Sequence, residues 1–226
     1  MKSHITIFFR IFLQVVLYTI IPAVIYILII SVLHAFGIAV FSQSVEMLVI
    51  DGITLIVTFV LFNYYSSSVR RLVLRTHLQI KKLLLLVPIS LFSRIPLAVI
   101  VIILYLFFGE AVTQTLDKSI EYQWAVFDGS TFGTTCIGFL SFVVIGPLHE
   151  ELIYRGVIQR TLQSQYSGRI SIIVASVFFG VSHIQPGLIV SSFVLGLFLG
   201  YVFHKWHNLW YAIILHMLIN LQPFIM

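Results

Sequence analysis

Long apolar stretches separated by short polar connections run the length of the chain. They extend from Ile11 to Leu33, Val45 to Phe62, Leu83 to Phe108, Thr134 to Tyr154, Ile170 to His183, Leu188 to Phe203 and Leu209 to Ile225. A hydrocarbon core of about 30 Å needs roughly 20 apolar residues of helix. The pattern therefore predicts an all-α, polytopic transmembrane helix bundle of about seven membrane segments. The fifth and sixth are short, and the pattern leaves open whether they cross fully or form a re-entrant pair. Because the connections are short, residues 1–226 read as a single membrane domain.

Composition agrees. Of 226 residues, 60% are hydrophobic and only 9% charged, against roughly 45–50% and about 25% in soluble domains. A free soluble domain and a disordered chain are both excluded. The formal charge is +5, and its placement matters more than its size. Lys2 and Arg10, then Arg70, Arg71, Arg75, Lys81 and Lys82, then Arg160 and Arg169, then Lys205 mark alternate connections. The segment from Gly109 to Gly133 instead holds Glu110, Asp117, Glu121 and Asp128 against Lys118. Cytoplasmic loops concentrate Lys and Arg, so the N-terminus is predicted inside and the C-terminus outside. The acidic segment reads as a plain solvated loop, with a lid as the less favoured alternative. Cations beside apolar runs point to the lipid bilayer as partner and away from nucleic acid. Cys136 is the only cysteine, so neither an intrachain disulfide nor a cysteine metal site is expected. Ile11–Leu33 exceeds the 7–15 apolar residues of a signal-peptide core and reads as a first span.

A charge at mid-bilayer costs roughly 2.5–3.5 kcal/mol on insertion scales, which singles out Asp51, Glu150 and Glu151 among the acids. Arg94 can snorkel, and pairing of Asp51 with Arg94 is left open. Glu151 and Arg155 are four apart with the acid first, the favourable order for a same-face ion pair. Glu150 points about 100° away from its neighbour and needs a different partner. Pro147 frees the carbonyl four residues earlier and could bend the helix just before the carboxylates. His183 and His216, the latter with Asn220 one turn on, lie in later segments. Counted at about 1.5 Å per residue from the nearest cytoplasmic anchors, Glu150, His183 and His216 fall roughly 15, 21 and 14 Å deep. They can converge. A single buried histidine is more often a packing residue; the joint set is what points to chemistry. His4, His34, His77, His204 and His207 read as interfacial. His149-Glu150 fails as a zincin motif, which needs histidine where Ile153 stands. Gly196 and Gly200 form a small-xxx-small pair, read as packing within the bundle in preference to dimerisation.

The sequence from Phe142 to Gln222 resembles the CPBP family of intramembrane proteases, which includes Ras-converting CAAX endopeptidases and bacteriocin-processing or immunity proteins. Three motifs carry the resemblance: Glu150-Glu151-Leu152-Ile153-Tyr154-Arg155, Phe179-Gly180-Val181-Ser182-His183 and His216-Met217-Leu218-Ile219-Asn220. Residues 134–226 would then be the motif-bearing catalytic core. The resemblance implies hydrolysis of a peptide bond in a peptide or membrane-anchored protein tail. Glu150 would be general base with His183, His216 and Asn220 would stabilise the oxyanion, and Glu151, Arg155 and Phe179 would brace the site or bind substrate. No cofactor is required in that scheme; the alternative has Glu150, His183 and His216 ligating a divalent metal such as zinc. A multi-pass protein of a bacterial cell membrane is expected. A non-catalytic immunity or regulatory protein of the same family is the competing function. A small transporter is disfavoured, since no pair of interrupted helices recurs in corresponding halves.

Overall fold

The computed structural model describes residues 13, 17, 20–36, 43–65, 77–124, 131–183 and 185–225. The cations Lys2, Arg10, Arg70, Arg71 and Arg75, with His4 and Asp128, lie outside the described residues, as does the start of the first predicted span. The described residues are helical throughout: α1 (Ile21–Ala35), α2 (Gln43–Tyr65), α3 (Ile80–Phe92), α4 (Arg94–Phe108), α5 (Glu110–Trp124), α6 (Phe132–Gln163), α7 (Gly168–Val181), α8 (Pro186–Trp206) and α9 (Leu209–Leu221), closed by a 3-10 turn at Gln222–Phe224.

Three helical stretches among them are long and apolar enough to cross a membrane: Ile80–Phe108, Phe132–Gln163 and Pro186–Trp206. Leu48–Thr58, Gly168–Val181 and Leu209–Phe224 are shorter apolar helices. The expected helical membrane bundle is therefore present, with two corrections. The third segment is broken at Ser93 into α3 and α4. The acidic segment after Gly109 is not a plain loop, because residues 110–124 form α5. α5 packs against α8, where the Gly187 N–H donates to Ser119 Oγ at 3.2 Å. Its polar residues took it for a loop, yet Leu116 and Ser119 give it a face that can pack.

Outward faces are apolar, as lipid requires. α4 has no buried residue, and Leu106 and Phe107 are 77% and 79% exposed. The core lies in the second half of the chain, where Ile153, Ile158, Phe179, Leu209 and Ile213 join α6, α7 and α9. A second cluster of Leu86, Leu199, Val202, Tyr211 and Leu215 ties α3 to α8 and α9. Helix ends are set locally. Ser167 caps α7 by accepting from the Ile170 N–H, and Asn208 caps α9 by accepting from the Trp210 N–H at 3.0 Å.

Polar rungs join α6 to α8. Arg155 Nη2 donates to Gly196 O at 3.1 Å, Gln159 Nε2 donates to Gly200 O at 2.9 Å, and Gln163 Nε2 lies 3.1 Å from His204 Nδ1. Each partner stands 41 residues beyond the first, so the two helices run in the same direction in fixed register. Glycine makes the approach feasible. A Cβ at Gly196 would stand 2.9 Å from Ser176 Cβ, and one at Gly200 would stand 2.9 Å from Gln159 Oε1. The glycine pair is thus used within the chain, the packing reading of its sequence.

Gly196→Leu is expected to destabilise the folded protein by about 1–3 kcal/mol through overpacking, read as a lower melting midpoint in detergent. Gly52→Ala is the contrast. A Cβ there meets nothing within 4 Å, so helix propensity alone should raise stability by up to about 1 kcal/mol.

Candidate active site

α6 is not uniform. It widens into π-helical turns at Leu140–Ile145 and again at Leu152–Gln159, and the α-helical turn Gly146–Glu151 between them carries both carboxylates. Such wide turns recur at functional sites because they re-aim side chains. The proline accounts for one consequence. In the wide register the Gly146 N–H donates to Ser141 O, five residues back. The backbone N–H that Pro147 lacks would in that register have reached Phe142 O, not Val143 O as four-residue counting gives. Asn220 Nδ2 fills the gap, donating to Phe142 O at 2.9 Å.

The three motifs meet. Glu151 is fully buried, and its Oε1 accepts from Arg155 Nη1 at 2.7 Å and from His216 Nδ1 at 3.0 Å. Arg155 is buried too, with its guanidinium 4.6 Å from the centre of the Phe179 ring. That ring stands edge-on to Tyr154, His183 and His216 at 5.0, 4.9 and 5.8 Å. Phe179 is thus the apolar wall that spaces the two imidazoles. His183 Nδ1 donates to Phe179 O at 2.8 Å, which leaves Nε2 as the acceptor nitrogen of the neutral ring. His216 is likewise engaged through Nδ1, and its Nε2 turns the other way.

Both Nε2 atoms face Glu150. His183 Nε2 lies 4.0 Å from Glu150 Oε1, and His216 Nε2 lies 3.7 Å from Glu150 Oε2. These separations are too long for direct hydrogen bonds. Glu150 and His183 side chains each keep 24% exposure, against 0% for Glu151. The adjacent carboxylates have separated roles, one sealed in a structural ion pair and the other open beside two imidazoles. Among the described residues, no group of three or more His, Cys, Asp or Glu side chains is arranged to hold a metal ion.

Residues 132–222 match a family model described as type II CAAX prenyl endopeptidase Rce1-like. This segment is similar to Rce1-like domains. The match spans about two fifths of the chain and contains all three motifs. It agrees with the CPBP resemblance read from those motifs. Comparison with curated proteins and with solved structures gave no significant match.

The contacts of Asp51, beside these motifs, escaped the sequence reading. His149 lies with its Nδ1 3.8 Å from Asp51 Oδ1, and Ser141 Oγ donates to Asp51 Oδ2. Asp51 therefore pairs across to α6 and not with Arg94. Its partners stand 90 residues or more away in sequence, beyond any local signal.

Removing one member of the buried pair should be costly. Arg155→Leu leaves the Glu151 carboxylate buried beside His216 alone, and a loss of about 3–5 kcal/mol is expected. The double variant Glu151→Gln/Arg155→Met should recover part of that loss in the same detergent melting experiment.

Proposed function

We propose that the protein is an intramembrane endopeptidase that hydrolyses a peptide bond in a peptide or membrane-anchored protein tail. The convergence of Glu150 with His183 and His216 carries this reading. Glu150 Oε1, Glu150 Oε2 and His183 Nε2 are acceptor atoms turned toward one another. A water molecule supplies two hydrogens, enough to bridge a carboxylate oxygen and an imidazole nitrogen. Its own lone pair is then presented to a substrate carbonyl. Glu150 takes the proton as the water oxygen adds, a general-base step that acts through a positioned water.

The developing oxyanion needs donors in a setting that excludes bulk water. Asn220 has one amide hydrogen on Phe142 O and a second left to offer. His216, one turn earlier on the same helix, gives its Nδ1–H to Glu151, which leaves Nε2 of the neutral ring as an acceptor on the Glu150 side. Glu151 and Arg155 hold His216 in orientation, a bracing role, and Phe179 fixes the spacing of the rings. The family description supports a prenylated CAAX-type tail as substrate class.

The test is a cleavage assay with the full chain in lipid vesicles, using a farnesylated peptide that ends in a CAAX tail. The parent should release the tail peptide. Glu150→Gln and His183→Ala should each lower the rate by at least about a hundredfold. Folded variants that cleave as fast as the parent would overturn the assigned mechanism. A parent without activity would favour a binding role for the same fold.

A further inference from the structure

Asp51 is an ionisable residue in an apolar helix of the first half of the chain, outside residues 132–222. It is 7% exposed. A carboxylate in such a place is costly, and those that occur are paired and functional as a rule. Its partners are both on α6, Ser141 inside the first wide turn and His149 in the α-helical turn that follows it.

The wide turn is what brings those partners together. In an unbroken α-helix, residues eight apart point about 80° away from each other. One residue absorbed by a π turn leaves them as residues seven apart would be, about 20° from alignment. Ser141 and His149 can then both face α2: Ser141 Oγ donates to Asp51 Oδ2, and His149 Nδ1 stands 3.8 Å from Oδ1, beyond direct hydrogen-bond reach. Asp51 thus spans the widened stretch like a staple.

Three consecutive side chains of α6 consequently face three directions. His149 faces Asp51 of α2, Glu150 faces His183 and His216, and Glu151 faces Arg155 and His216. Glu150 is the middle one. Its direction is fixed only if the residues on both sides are held, because the adjoining wide turns define rotation loosely. Asp51 is also close enough to act electrostatically on Glu150, and His149 on His183 and His216. The Ile145 carbonyl approaches the His149 ring as well, so Asp51 is one of two groups that set its orientation.

We infer that Asp51 is a positioning residue of the candidate site, acting through His149 to set the direction of Glu150. The inference rests on the endopeptidase reading, and its test separates the two. With the farnesylated CAAX peptide and the full chain in vesicles, Asp51→Asn should lower kcat about tenfold, with KM within about twofold of the parent. The double variant Asp51→Asn/His149→Gln should be no slower than the slower single variant, since both act through one contact. Unchanged kcat in Asp51→Asn, or multiplying losses in the double variant, would overturn the inference.

A second measurement needs no cleavage. In chain labelled with 15N at histidine, the His149 ring signals (those missing from His149→Gln) should move in Asp51→Asn, while those of His183 stay. A His149 signal that does not move removes the positioning pair by itself. A parent that cleaves no peptide removes the endopeptidase reading instead.

Discussion

One carboxylate oxygen, Glu151 Oε1, holds the second half of this protein together. It accepts from Arg155 on its own helix and from His216 on α9, and Arg155 passes the connection on to the Gly196 carbonyl of α8. Such a charge cannot be left without partners in a low-dielectric interior. The helices that supply those partners are therefore constrained to lie where they do. The apolar clusters around Ile153, Phe179 and Ile213 fill the space, but apolar packing is non-directional. The fixed geometry comes from the ion pair.

That constraint accounts for the different condition of Glu150. Two neighbouring residues of a helix cannot face the same way, so burying Glu151 in the ion pair turns Glu150 toward α7 and the far edge of the His216 ring. The same imidazole serves both acids, with Nδ1 toward one and Nε2 toward the other. His183 adds its own Nε2, oriented by the backbone carbonyl of Phe179. A structural requirement and a chemical one are met by a single side chain.

The sequence was legible where information is local or periodic. The apolar runs gave the helices of the second half, the four-residue spacing of Glu151 and Arg155 gave the ion pair, and depth counting brought Glu150, His183 and His216 to one level. Four features were not legible. The π turns have no residue signature in this sequence. Asp51 looked isolated because its partners are supplied by α6, and only the widened register aligns them. Residues 110–124 looked like a loop because most of their positions are polar, although Leu116 and Ser119 pack on α8. The Asn220 amide was read as a free donor, whereas one of its hydrogens closes the gap that the proline opens.

The rungs between α6 and α8 have a mechanical consequence. Sliding one helix along the other by less than a full turn would break the contacts at Gly196, Gly200 and His204 together, and a new match would require a jump of four residues. The α6–α8 pair is therefore a stationary frame for motions smaller than that jump. Displacements smaller than that jump fall on elements outside this frame. α5 is suited to such movement, since it follows Gly109 with its backbone at φ 61° and touches α8 through Ser119 near the turn after His183.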